Sequence, residues 1–369
     1  MTTDADDRDV NLLPRDEDAP VSRETDEGTP LQSAHVTHEK APPVRDLEGA
    51  FGVFSRMRER LRAVVKGRDD VIDLVLIAVL ADGHVLLEDF PGSGKTTLAK
   101  ALGDCIIDDQ PDDGIVTIRR IQFTPDLLPS DVTGTTVFDP NTNRFFFRPG
   151  PIFAHVVLAD EINRTSPKVQ SALLEAMAEK QVTVDNRTRQ LDDLFLVIAT
   201  QNPLDVAGTF PLPNAQLDRF LFKIRMTHIA PEHELDLLRT LRERRENEGR
   251  PDLARVTRSE ILDARRLVLE GVFVDDKVHQ TLVNVATRTR GDERILQGAS
   301  TRSLVLAIPA LQARAMTQRR AYVTPDDIDA LADRIFTHRI EFAPGVDRPE
   351  RIVKELVASE LDAQARRSL

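Results

Sequence analysis

The run Val85-Leu86-Leu87-Glu88-Asp89-Phe90-Pro91-Gly92-Ser93-Gly94-Lys95-Thr96-Thr97 decides the fold. An apolar stretch ends in a Gly-rich turn, and Leu98-Ala99-Lys100-Ala101-Leu102 carries on with helical character. Strand, loop and helix in that order can wrap a triphosphate, because the glycines let backbone N–H groups turn inward onto phosphate oxygens. Pro91, Gly92, Ser93, Gly94 and Thr97 are the expected loop contacts. Lys95 can reach the β and γ phosphates, and the Thr96 hydroxyl suits Mg²⁺. The expected ligand is therefore a nucleoside triphosphate, ATP, with magnesium. Asp89 stands where the phosphate-loop pattern has Gly and adds negative charge beside an anion site. Alone, the stretch also reads as an ordinary Gly-rich strand-to-helix turn.

Bulk composition narrows the class. The chain has 369 residues, enough for two compact domains and a tail, and 41% hydrophobic residues, enough for a real core. A formal net charge of -12 disfavours stable binding to nucleic acid, which needs clustered Lys and Arg. The single cysteine, Cys105, excludes an intramolecular disulfide and a multi-cysteine zinc site. The first residues are acidic and polar, unlike a signal peptide, and the apolar run from Val71 to Ala81 is far short of the ~20 residues of a membrane span. The expectation is a cytoplasmic protein without a membrane span.

Residues 1–46 repeat Asp, Glu, Pro, Thr and Arg with almost no periodic apolar positions, which predicts a disordered acidic tail. From Leu47 the spacing of Phe51, Phe54, Met57, Leu61 and Val64 predicts a helix, and a second starts at Val71. Strands are expected at Val85 to Glu88, Ile115 to Phe123, Val156 to Ala159, Leu194 to Thr200 and Leu221 to Met226. Their alternation with helices implies right-handed crossovers and a mainly parallel sheet, the α/β three-layer sandwich of a P-loop NTPase, over 47–228. After Met226 the strands are expected to stop. Pro231 opens a charged helix running to about Gly249-Arg250-Pro251, Thr257 to Glu260 is a capping box, and Asp275 and Thr324-Pro325 open further helices. The reading for 229–369 is an all-helical lid domain. Pro309 falls inside one of its helices, where the lost backbone bond can cost ~3 kcal/mol and leaves the angle of the following half open.

The third strand delivers Asp160-Glu161 at its C-terminal end, about 65 residues after Lys95. Ligands of parallel sheets bind at that end. Asp160 is the expected Mg²⁺ ligand and Glu161 the base or orienter of the attacking water. The fourth strand ends in Gln201-Asn202-Pro203, where the neutral amide of Asn202 can hold a water between Glu161 and the γ-phosphate.

Longer runs carry a resemblance. Ala159 to Met177 (ADEINRTSPKVQSALLEAM), Ala199 to Pro203 (ATQNP), Pro211 to Phe220 (PLPNAQLDRF) and Arg120 to Asp131 (RIQFTPDLLPSD) are similar to the MoxR branch of the AAA+ ATPases, over roughly residues 50 to 345. The resemblance implies that Arg219 is an arginine finger supplied to the next subunit's nucleotide. It implies that Arg302, in Gly298-Ala299-Ser300-Thr301-Arg302, is a lid sensor meeting the γ-phosphate in cis, and that Val65 and Gly67 flank adenine. Two expected hairpins, Thr136 to Phe147 and Val182 to Arg189, match the family's helix-2 insert and pre-sensor elements. Because side chains alternate on a strand, Phe145-Phe146-Phe147 cannot all face inward.

The family further implies a homo-oligomeric ring, hexameric, that hydrolyses ATP to remodel or mature a partner carrying a von Willebrand factor A domain, in metal-cofactor insertion or complex assembly. A nucleic-acid-dependent motor shares the ATP site, and Arg187 and Arg189 keep that alternative open. A small-molecule kinase is opposed by Arg219 and Arg302, and a binding-only scaffold by intact Lys95, Asp160 and Glu161.

Overall fold

The computed structural model describes residues 43–88, 90, 92–110, 114–203, 208–240 and 252–367. Two helices come first. The carboxylate of Asp46 accepts the Gly49 N–H at 2.8 Å and so starts α1 (Leu47–Val64), which buries Phe54, Met57 and Leu61 along one stripe. In α2 (Asp69–Leu80) every residue from Val75 to Leu80 is buried, as an almost wholly apolar helix demands. The expected tail lies outside the described residues as far as 42, whereas Val44 already packs into the core.

The chain continues through β1 (Val85–Glu88), α3 (Lys95–Cys105), β2 (Ile106–Ile107), β3 (Val116–Gln122) and α4 (Pro129–Thr133). The hairpin β4 (Gly134–Asp139) and β5 (Arg144–Pro149) follows, then β6 (Ala154–Asp160) and α5 (Pro167–Glu179). A second hairpin, β7 (Gln181–Val184) and β8 (Arg187–Gln190), precedes β9 (Leu196–Gln201), α6 (Asn214–Leu217) and β10 (Phe222–Arg225). Strands β10, β1, β9, β6 and β3 lie side by side in that order, all parallel. They are the five strands expected from the sequence.

Alternation along these strands makes the layers. Val85, Leu87, Leu158, Ile198 and Ile224 face a core shared with α1, α2 and α3. Leu86, Val157, Ala159 and Val197 face a second core that includes Val169, Leu173 and Leu174 of α5. Both hairpins stand apart from the central sheet. In the first, Phe138 lies opposite Phe145; Phe145 and Phe146 are exposed, while Phe147 carries the Arg189 guanidinium 3.8 Å above its ring. The second turns at Asp185 and Asn186, both at positive φ, the geometry that suits a two-residue hairpin.

The C-terminal region holds α7 (Pro231–Arg239), β11 (Val256–Thr257), α8 (Arg258–Gly271), α9 (Asp276–Gly291), β12 (Ile295–Gln297), α10 (Thr301–Thr317), α11 (Pro325–Phe336), β13 (Glu341–Phe342) and α12 (Pro349–Arg367). It is helical, and the expected caps form: Thr257 with Glu260, Asp275, and Thr324 with Asp327. The expectation that strands stop after Met226 needs correcting. β11 pairs with β2, and β12 with β13; strands of two or three residues are too short to leave a period-2 pattern. The expected end of the charged helix near 249–251 lies outside the described residues. Helix α10 runs through Pro309 unbroken; the carbonyl left without its N–H partner belongs to the exposed Val305, where water can bond it. Among the described residues no helix is long and apolar enough to cross a membrane.

Candidate functional site: the edge beside the phosphate loop

Sheet register brings the expected acids to the loop. Glu88 lies beside Gln201 and Asp160 beside Gln122, so β1, β9, β6 and β3 end along one edge. Lys95 opens α3 there, with Nζ 3.6 Å from Asp160 Oδ1. That same oxygen accepts the Thr200 hydroxyl at 2.7 Å, and Oδ2 accepts Arg120 Nη2 at 2.6 Å. Burial works to raise the Asp160 carboxyl, but Thr200, Arg120 and Lys95 outweigh it and hold the group below the usual carboxylate range.

Glu161 has φ 59°, a left-handed conformation that costs a non-glycine residue about 1–2 kcal/mol. Its N–H donates to Thr200 Oγ1 at 2.9 Å, so one hydroxyl fixes both acids. Glu161 Oε2 accepts Gln122 Nε2 at 2.9 Å and lies 3.2 Å from Arg164 Nε. Asn202 follows β9 directly on this edge and is half-buried. Arg120, Gln122, Arg164 and Thr200 received no role from the sequence. A signal existed for two of them: Arg120 and Gln122 stand two apart on a strand, hence on one face, beside the strand that carries the acids.

A cavity of about 470 Å³ opens beside the loop. Gly92, Ser93, Gly94 and Thr97 line one side, Val65 another, and His228 and Leu237 the side formed after β10. Gly92 and Gly94 have φ of 89° and 94°, with nothing within 4 Å of where a Cβ would stand. Ser93 Oγ and Arg68 Nε are buried without a hydrogen-bond partner among the described residues. Inward-facing polar atoms without protein partners, beside an unencumbered glycine backbone, fit an anionic ligand. Gly67 is not among the lining residues; a Cβ there would meet the His233 ring at 2.6 Å, so this glycine lets α7 close on the loop. Asp89 and Pro91 lie outside the described residues.

The donor set also fits magnesium. Among the described residues no group of three His, Cys, Asp or Glu side chains could hold a metal. One carboxylate, Asp160, and the Thr96 hydroxyl are what Mg²⁺ uses when phosphate oxygens and waters complete its shell.

Arg219 and Arg302 are elsewhere. β10 runs parallel to β1, with Phe222 beside Val85 and Arg225 beside Glu88. The phosphate loop follows Glu88, whereas Arg219 precedes Phe222, so roughly 10 Å of strand separates them. Arg219 Nη1 donates to the Leu174 carbonyl at 2.5 Å. Arg302, expected as a lid sensor in cis, has its Nε 3.7 Å from Asp218 Oδ2, next to Arg219 in the chain, because α10 starts at this end of the sheet.

Residues 84–222 match the family described as "ATPase family associated with various cellular activities (AAA)", and residues 287–356 match the AAA lid domain. Sheet, loop, acids and lid together define a P-loop ATPase of the AAA class. The chain is 35% identical over 328 residues to "Chaperone MoxR1" of Mycobacterium tuberculosis, covering 84% of this chain and 81% of that one. It is 30% identical over 331 residues to "Protein MoxR" of Methylorubrum extorquens, covering 81% and 91%. The chain belongs to the MoxR family of AAA+ ATPases. A Bacillus subtilis relative, "Uncharacterized protein YeaC", is 44% identical over 316 residues, with 85% and 95% covered. A crystal structure from Cytophaga hutchinsonii, described as "a putative ATPase", superposes with a TM-score of 0.74 at 34% identity, over 84% of this chain and 96% of that one.

Proposed function

We propose that this chain hydrolyses ATP with Mg²⁺ within a hexameric ring in the cytoplasm and uses the released energy to remodel a partner protein. One observation carries the reading: Lys95 and Asp160 meet at 3.6 Å on the edge where Glu161 and the open glycine loop also lie. Lys95 and the loop N–H groups hold the triphosphate, and Val65 flanks the base. Thr96 and Asp160 hold Mg²⁺, whose charge favours the electron shift onto the leaving phosphate when it is bound. Glu161 orients the attacking water once it leaves Gln122, with the Asn202 amide steadying that water. Arg219, at the far end of the sheet from its own loop, serves the neighbour's nucleotide, and the placement of Arg302 supports the same for it. The partner is a protein with a von Willebrand factor A domain, matured by metal-cofactor insertion or complex assembly.

Glu161→Gln tests the chemistry. It removes a carboxylate but keeps its shape, so ATP should still bind while turnover falls at least about a hundredfold. Steady-state hydrolysis and nucleotide titration check this; a rate near wild type removes Glu161 from the water-positioning role. The partner that co-purifies with the trapped variant identifies the client, and a nucleic acid in its place would favour a nucleic-acid motor.

A further inference from the structure

Asp218, Arg219, Phe220 and Leu221 lead into the edge strand β10, yet residues about 120 positions later hold them. The Arg339 side chain is 1% exposed and is spent on this segment. Its Nε donates to Asp218 Oδ1 at 2.9 Å and its Nη1 to the Leu221 carbonyl at 3.2 Å, while Nη2 donates to the Phe220 carbonyl. His338 Nε2 donates to that Phe220 carbonyl at 3.0 Å. The second Asp218 oxygen faces Arg302 at 3.7 Å. Against these, α5 and the residue before β1 supply one bond each, from Arg219 to the Leu174 carbonyl and from the Leu221 N–H to the His84 carbonyl. The short α6 supplies only local backbone bonds, from the Asp218, Arg219 and Phe220 N–H groups to the carbonyls of Asn214, Gln216 and Leu217.

Arg339 ends the 3₁₀ turn Thr337–Arg339 directly after α11, inside the part of the chain that matches the lid. A planar guanidinium bonded to one carboxylate and several carbonyls fixes orientation as well as distance, which a flexible ammonium does not. Burial draws the Arg339 pKa down to about 10, still well above neutrality, so the guanidinium stays charged at working pH.

We infer that Arg339 and Asp218 are positioning residues through which the lid, rather than the sheet, sets where Arg219 is presented to the neighbouring subunit. A lid that moves with its own nucleotide then carries the finger segment with it and changes the rate next door. The inference rests on Arg219 acting in trans.

The test is directional. Asp218→Asn keeps the side-chain shape and loses the charge; Arg339→Lys keeps the charge and loses the fork. Each full-length variant should lose about a hundredfold in kcat, the scale of a roughly 1 Å misplacement, with the KM for ATP within about twofold of wild type. Mixed with excess Lys95→Ala chains, which offer intact fingers but no turnover, each should regain most of its rate per working site. A fold that is merely weakened cannot be rescued by its neighbour. Arg219→Ala in the same mixture is the reference. If it is not rescued, trans action itself fails. If it is rescued and the other two variants are not, or if both keep full kcat, the clamp is overturned. Thermal unfolding confirms which variants are folded, and either one alone suffices.

Discussion

The two ends of the central sheet are built on opposite principles. At the C-terminal end the polar groups sit at the ends of neighbouring strands and at the start of α3 and meet one another directly: Lys95 with Asp160, Thr200 with both acids, Gln122 with Glu161. At the N-terminal end the segment from Asp218 to Leu221 is held from distant parts of the chain, by the His84 backbone carbonyl on one side and the buried His338 and Arg339 side chains on the other. The first end is a reaction site whose parts must change partners during turnover. The second is a mount, and its buried ion pair and carbonyl contacts tie the segment to the lid. The sharpest way to separate them is to break the first. Lys95→Ala removes the cation that Asp160 and the triphosphate share. It should lower turnover at least about a hundredfold and weaken nucleotide binding while leaving thermal unfolding of the chain nearly unchanged, since Asp160 keeps Arg120 and Thr200. A large loss of stability would mean that the lysine is structural instead.

The second end should fail first in acid. His84 immediately precedes β1; its Nδ1 accepts the Val197 N–H at 3.0 Å, and its Nε2 donates to the Met177 carbonyl at 3.1 Å. Only the neutral ring serves both. Burial lowers its pKa from 6.5 to about 4. Between those values the unfolded chain binds a proton that the folded chain refuses, so stability falls as the pH drops from 6.5 towards 4. The loss levels off near 3 kcal/mol on the order-of-magnitude scale of such a shift. His338, buried against Arg339, is pushed well below 6.5 too and adds in the same direction. Asp160 behaves oppositely, because a carboxyl held below its usual range keeps its partners through this window. Denaturant unfolding at pH 7.5 and 4.5 should show the loss in wild type and a flatter dependence in His84→Gln. Parallel curves would exclude His84 as the source.

The same contrast explains what could be read from the sequence. Strand β1, the glycine loop and α3 are contiguous, so apolar run, turn residues and helix formers announce them in order. That Asp160, Glu161 and Asn202 share one edge was legible because a parallel sheet sends strand ends to one place. The left-handed turn at Glu161 was not, since nothing in its own identity marks a positive φ; it follows from the Thr200 hydroxyl on the next strand. Arg339 was invisible for a simpler reason. Its partner Asp218 is 121 positions away, and only the finished packing of the lid against β10 brings them together. Arg302 was recognised as a motif residue, but its place beside Asp218 was not legible, because a motif names a residue type and not the end from which its helix starts.

The smallest effect expected sits on the first end. Arg120 is half-exposed, and its guanidinium takes the Asp160 oxygen opposite the one that faces Lys95. On the proposed role, Asp160 would give up part of this bonding to hold magnesium, so Arg120 would compete with the ion, which is likewise positive. Solvent screening limits such an exposed contact to about 1 kcal/mol, which corresponds to a few-fold change in affinity. Arg120→Met should therefore lower the Mg²⁺ concentration at half-maximal ATP turnover by about threefold to fivefold, without moving the unfolding transition. A magnesium requirement that rises would show that Arg120 orients Asp160 for the ion, and the first end would then be as pre-set as the second.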